Sequence, residues 1–168
     1  MASTVIDKAY RAPMRPRDRD AGQFEGARFG VENGLVGIGG VISPAPASID
    51  EAVLNALDQI NQKTSRMISR FASLPEGSMV WTQINEDRFC LGRLTGPWRY
   101  DSSGDAGRAG IVHVRPVEWI PEEIPIEEVP PAVLESFARG GKNFQRIRAS
   151  EAGPSSRQRW TDYLPDSG

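Results

Sequence analysis

The chain has 168 residues with 22 acidic and 20 basic side chains, one histidine and one cysteine, and a net charge of −2. That length suits a single domain with tails, large enough to bury a core without covalent staples. A lone cysteine and a lone histidine exclude an internal disulfide and a Cys/His zinc set, and the near-neutral balance excludes a polycation.

No stretch reaches transmembrane length and the opening MASTVIDKAY has no apolar run, so a cytoplasmic protein without a membrane partner is expected. The charge is unevenly placed. Lys8, Arg11, Arg15, Arg17, Arg19 and Arg28 crowd the beginning, and Arg139, Lys142, Arg146, Arg148, Arg157 and Arg159 the end. Between them lies an acidic block of Glu118, Glu122, Glu123, Glu127, Glu128 and Glu135. If the two ends meet in space they make one basic face; scattered solvated charge is the plain alternative.

In chain order, residues 1–9 lack periodicity and read as a flexible N-terminus. YRAPMRPR, 10–17, is broken by Pro13 and Pro16 and reads as an edge strand or extended arm. A short helix is expected over 22–33, with Phe24, Phe29 and Val31 inward and Asn33-Gly34 as its left-handed stop. LVGIGGVI, 35–42, reads as a buried strand whose glycines mark a kink or a close backbone approach. Ser48-Ile49-Asp50-Glu51 matches a capping box and opens a helix facing inward through Ile49, Val53, Leu57 and Ile60. A second helix over 64–73 presents Met67, Ile68 and Phe71, and Leu74-Pro75-Glu76-Gly77 ends it.

Short strands follow: 79–84, 88–96, 98–101 and 111–120, the last two separated by a flexible loop, SSGDAGRAG. A Pro-broken acidic connector leads to a short helix at 131–138 and a closing strand at 143–148. Residues 149–168 read as a mobile tail. The order of elements predicts an α+β fold: a small, mostly antiparallel curved sheet or barrel with helices packed on one side.

Catalytic groups are scarce. Cys90 lies inside an apolar strand, no serine stands in a nucleophile elbow, and GLVGIGG lacks the lysine and hydroxyl of a phosphate loop. No enzyme, cofactor or metal site is expected. Ring binding is better supplied: Trp81, Trp98, Tyr100 and Trp119 fall on strands, interleaved with arginine. The competing reading makes these rings core. It is favoured for Trp119, while Trp98 and Tyr100 stand evenly between the two. His113 reads as a hydrogen-bonded structural residue or a ligand contact.

The runs Gly77-Ser78-Met79-Val80-Trp81-Thr82, Leu91-Gly92-Arg93-Leu94-Thr95-Gly96, Trp98-Arg99-Tyr100-Asp101 and His113-Val114-Arg115-Pro116-Val117-Glu118-Trp119 together form a pattern. It resembles the EVE-like branch of the PUA-like superfamily, which includes YTH and EVE domains and occurs at the N-terminus of some modification-dependent restriction endonucleases. The resemblance covers roughly residues 10–148. It implies a curved β-barrel with helices beside it, holding a modified or flipped nucleobase in an aromatic pocket. Carried onto this chain, the nucleobase-binding residues are Trp81, Trp98, Tyr100 and His113, and the backbone-binding residues Arg15, Arg66, Arg99 and Arg146. Modified DNA is then expected as partner before RNA, with a separate effector protein, in a defence setting. Two positions depart from the family pattern: Gly40 stands where many relatives carry an aromatic, and Ser78 where they carry an acid. A degenerate pocket on the same fold, used for docking proteins through the acidic connector and the Trp160/Tyr163 tail, is the alternative.

Overall fold

Alternation along the central strands divides the side chains between two cores. In β3 (Met79–Asn85), Val80 and Ile84 enter one apolar cluster while Met79 and Trp81 enter another. In β4 (Arg88–Leu94), Cys90 and Leu94 join the first and Phe89 and Leu91 the second. A sheet covered on both faces needs apolar residues at nearly every position, which these strands supply. The structure is a computed structural model and describes residues 8–16, 20–141 and 143–164.

The strand order is β2-β6-β4-β3-β1-β8, from β1 (Ala9–Arg11), β2 (Leu35–Ile38), β6 (His113–Trp119) and β8 (Gln145–Arg146) with β3 and β4. Only β1 against β3 is parallel; the other pairings are antiparallel. The first half of β6 pairs with β2 and with β5 (Arg99–Tyr100), its second half with β4. This change of neighbours within one strand curls the sheet into an open half-barrel. β7 (Ile124–Pro125) adds to β4. The fold is α+β, as its sequence implies.

Helices α1 (Glu25–Asn33), α2 (Ile49–Gln59) and α3 (Gln62–Ser73) supply the first core with Ala27, Ala52, Ala56, Ile68 and Phe71. Gly34, at φ +66°, ends α1 in the left-handed conformation expected of it. Ser48 caps α2 through the Glu51 amide. The inward face of α2 agrees in part with expectation: Ile49 and Val53 pack against the first core, while Leu57 and Ile60 point outward and Ala52 and Ala56 are fully buried instead. Small alanines let the helix approach closely, and a sequence rule weighted to large apolar residues overlooks them.

Four further expectations are corrected. β1 is no edge strand, because β3 and β8 flank it and its prolines fall after it ends. Ala9 already belongs to it and is buried, so order begins before residue 10. The loop after β5 contains a helix, α4 (Gly104–Ala109), capped by Ser103. The C-terminal segment is no free tail through residue 164. Helix α6 (Ala152–Tyr163) follows α5 (Pro131–Ala138) onto the second core, where Trp160 is only 5% exposed. The expectations for residues 1–7, for Arg17, Arg19 and Lys142, and for 165–168 lie outside the described residues.

Trp160 also lies beneath the Arg93 guanidinium, 4.8 Å from its ring centre. Trp160→Ala is therefore expected to cost about 3–5 kcal/mol in urea unfolding, the range for deleting a buried aromatic. A freely moving tail would leave the midpoint unchanged.

Candidate functional site

β6 holds the site together through the alternate residues His113 and Arg115, which share one face of the strand. His113 is fully buried. Its Nδ1 lies 3.1 Å from Trp98 Nε1 and its Nε2 2.8 Å from the Gly40 carbonyl oxygen. An indole nitrogen can only donate, so Nδ1 accepts from Trp98 and Nε2 carries the proton donated to Gly40. Burial pushes the imidazole pKa below its ordinary value, against a smaller upward pull from the Gly40 bond. The ring is held neutral.

Tyr100 completes this clamp. Its hydroxyl accepts from the Ile42 amide at 3.1 Å and donates to the Ile42 carbonyl at 3.3 Å. Its ring meets His113 edge-on, at 5.2 Å and 78°, while Trp98 stacks at 5.9 Å and 29°. The loop 39–42 after β2 is thus pinned from behind. Gly40 has φ +115°, and a Cβ there would sit 3.3 Å from both His113 Nε2 and Thr64 Cγ2. The positive φ and these close neighbours favour glycine at this position.

Arg115 is buried and donates to Gly96 O at 3.0 Å, Phe71 O at 3.0 Å and Leu74 O at 2.7 Å. It closes the C-terminus of α3, where free carbonyls and the helix dipole favour a cation. Arg11 does the same for α5, donating to Ser136 O and Gly140 O at 2.7 Å each. Burial is the main cause pushing both guanidinium pKa values down. These two residues fix α3 and the turn between α5 and β8, which form the site's opposing walls.

Two cavities lie along those walls. The smaller, of about 530 Å³, is bounded by Gly37, Gly39, Gly40 and Val41, by Met14 and Arg15, and by Thr64 and Met67 of α3. Among the described residues no acidic side chain lines it. The larger, of about 860 Å³, has Tyr10, Phe71 and Leu74 among its apolar lining and carries Lys63, Arg70, Arg139, Arg146 and Arg148, against the single acid Glu135. Both include Met67, Asn143 and Phe144. Phe144 is half-buried, stacked on Tyr10 at 5.6 Å and 17° and meeting Phe71 edge-on at 5.2 Å. β1 pairs with β8, setting Tyr10 opposite Arg146, but the cations of the larger cavity come from α3 and the C-terminal part. Of the described N-terminal cations only Arg15 lines either cavity, the smaller.

The expected site residues are thus divided. Trp98, Tyr100 and His113 come together, behind the glycine loop and outside both cavity linings. Direct base contact by His113 is corrected, since the ring is fully buried and bonded on both nitrogens. Trp81 is likewise corrected: it is fully buried in the second core and donates to Ser156 Oγ at 2.8 Å. Arg146 lines the larger cavity and Arg15 the smaller, where Arg15 also donates to Gln23. Arg66 is exposed on α3 outside both linings, and Arg99 on β5 lies 4.0 Å from Asp101. Lys63, Arg70 and Phe144 were missed. The helical spacing of Lys63, Met67, Arg70 and Phe71 was the available signal for the first two. Cys90 is buried and its thiol pushed up to about 12, mainly by burial. Among the described residues no group of three or more His, Cys, Asp or Glu side chains could hold a metal ion, and no helix is long and apolar enough to cross a membrane.

No protein-family model matches the chain, and no curated protein does. The chain is similar in structure to a YTH domain of the Zygosaccharomyces rouxii MRB1 protein, solved in complex with N6-methyladenosine RNA. The TM-score is 0.41 at 14% identity, over 93% of this chain and 86% of that one. The α+β assignment rests on strand order and burial.

A histidine whose folded pKa is depressed contributes stability that is fully present above its unfolded value of about 6.5 and is lost as pH falls through the folded value. Below about 6.5 the unfolded chain takes up a proton that the native chain resists, so stability should fall by up to about 1.4 kcal/mol per pH unit. Urea unfolding from pH 7.5 down to about 5, above the main carboxylate range, reads this slope directly. His113→Gln, expected to be less stable at neutral pH, should lack it; an equal slope in both proteins refutes the assignment.

Proposed function

We propose that the protein is a non-catalytic nucleic-acid reader, taking an unpaired or extruded nucleobase into the glycine-walled cavity and its phosphates onto the cations of the adjoining one. The observation that carries this reading is the junction at Phe144 of a glycine-walled cavity, where Arg15 is the one charged side chain among the described residues, with a strongly basic one. Trp98, Tyr100 and His113 act from behind, holding the Gly39–Gly40 backbone in place for the base. This backbone offers polar edges to a ring, while Met67 and Phe144 offer apolar surface. The resemblance to EVE-like domains of restriction enzymes points to a modified base, in DNA before RNA, and to an effector protein in a defence setting.

The energetics close. Extruding a base costs a few kcal/mol, least for an unpaired or modified one. One aromatic stack returns about 1–3 kcal/mol, and each phosphate neutralised adds a salt-dependent term. The protein-docking reading has one observation in its favour: Leu54 and Leu57 on α2 and Val41 in the smaller cavity's lining are more than half exposed. Its proposed tail surface is weakened, because Trp160 is buried and Tyr163 bonds Glu128.

Titration of single- and double-stranded DNA and RNA carrying 5-methylcytosine, 5-hydroxymethylcytosine, N6-methyladenine or no modification tests the reading. Preference for one base is expected, with affinity falling as salt rises from about 50 to 200 mM. Arg70→Ala and Arg146→Ala should weaken all single strands alike and each reduce the salt slope by about 0.7. Failure of every strand, independent of salt, overturns the proposal.

A further inference from the structure

The larger cavity has more apolar surface than a phosphate track requires. A phosphodiester is satisfied by cations and water, and gains nothing from an aromatic wall. Yet Met67, Leu74 and Phe144, all half-buried, line it beside Arg70 and Arg146, over the buried rings of Tyr10 and Phe71. Apolar walls with a few charged groups are the chemistry of a site for a flat ring attached to an anion. Both cavities, at about 530 and 860 Å³, fall within the range of roughly 300–1,000 Å³ typical of small-ligand pockets.

Resting on the reader function above, we infer that the protein takes two adjacent nucleotides of a single strand, one base in each cavity, with Phe144 and Met67 as the common wall. Consecutive nucleotides share one phosphodiester, so bases in two contiguous cavities place that link at the shared wall. Arg146, two residues after Phe144, lines the larger cavity. Tyr10 covers one face of Phe144 and fixes the ring in the wall. The consequence is a preference in substrate class. A duplex would have to release two neighbouring bases instead of one, so single strands are favoured over a base flipped from an intact helix.

Fluorescence anisotropy with short labelled strands of abasic backbone tests this on the unaltered protein. Three series, bearing adenine, N6-methyladenine or 5-methylcytosine, each include one base, two adjacent bases, and two bases separated by several abasic positions. The adjacent pair should bind roughly five- to a hundredfold more tightly than the single base, the span of one base–aromatic stack. Separation should remove most of that gain, and a complementary duplex should bind more weakly than the single strand. Phe144→Ala should remove the adjacency gain and Phe144→Tyr retain it. Since the alanine variant also loses packing against Tyr10 and Phe71, the abasic series on the unaltered protein decides. Single-base strands that bind as tightly as adjacent pairs would overturn the two-base inference while leaving the reader intact. Failure of every strand would overturn both.

Discussion

The hydrogen bond from His113 Nε2 to the Gly40 carbonyl is the constraint on which the candidate site depends. It holds the end of β2 against β6 at the point where the loop 39–42 leaves the sheet to wall the smaller cavity. Trp98 fixes the imidazole tautomer, and Tyr100 secures the loop two residues on. Replacing any of these partners leaves a polar group buried without its bond, a cost of about 1–3 kcal/mol, so the arrangement is self-enforcing. Two residues further along the same face, Arg115 closes the C-terminus of α3. One strand therefore sets both the glycine loop and the helix opposite it.

The other end of the site depends on β1. Its pairing with β8 brings residue 10 against residue 146 and lets Arg11 close the C-terminus of α5. Arg11 and Arg115 are buried, so their charges are spent on helix carbonyls and contribute no exposed phosphate contact. The cations free to meet a ligand are those that the strand pairing and α3 leave at the cavity rim, Lys63, Arg70, Arg139, Arg146 and Arg148. Charge counted along the chain does not separate these two uses; burial does.

Much of the fold was legible. Short apolar runs bounded by turn residues located β3 and β4, and the Ser48 cap and Asn33-Gly34 located helix ends, while the shared basic face expected of the two ends is supplied by α3 and the C-terminal part. The inward face of α2 was legible only in part: Ile49 and Val53 were found, but Ala52 and Ala56 were not, because alanines carry little hydrophobic weight in a sequence pattern. Helix α6 was missed because its polar composition hides a single anchoring tryptophan. The site was partly legible: the aromatic-His cluster was identified, but its members' orientation was not. A strand residue points to one face or the other, and only the paired register decides which core receives it. Trp81 faces the second core by that rule, and His113 faces the first.

The glycine at position 40 shows why the missing aromatic and a ring-binding site are compatible. At φ +115°, with His113 and Thr64 3.3 Å from where a Cβ would sit, a side chain at this position would be strained and tightly packed. A ring that touches a ligand in this cavity must therefore come from another element. Among the residues lining the smaller cavity, Phe144 is the aromatic, delivered by the segment before β8 and stacked on Tyr10. The polar wall and the ring are thus supplied by elements far apart in sequence. β6 positions one and β1 the other. Because the same Phe144 also borders the basic cavity, while Tyr10 covers one of its faces, the segment before β8 joins the two cavities through a single ring.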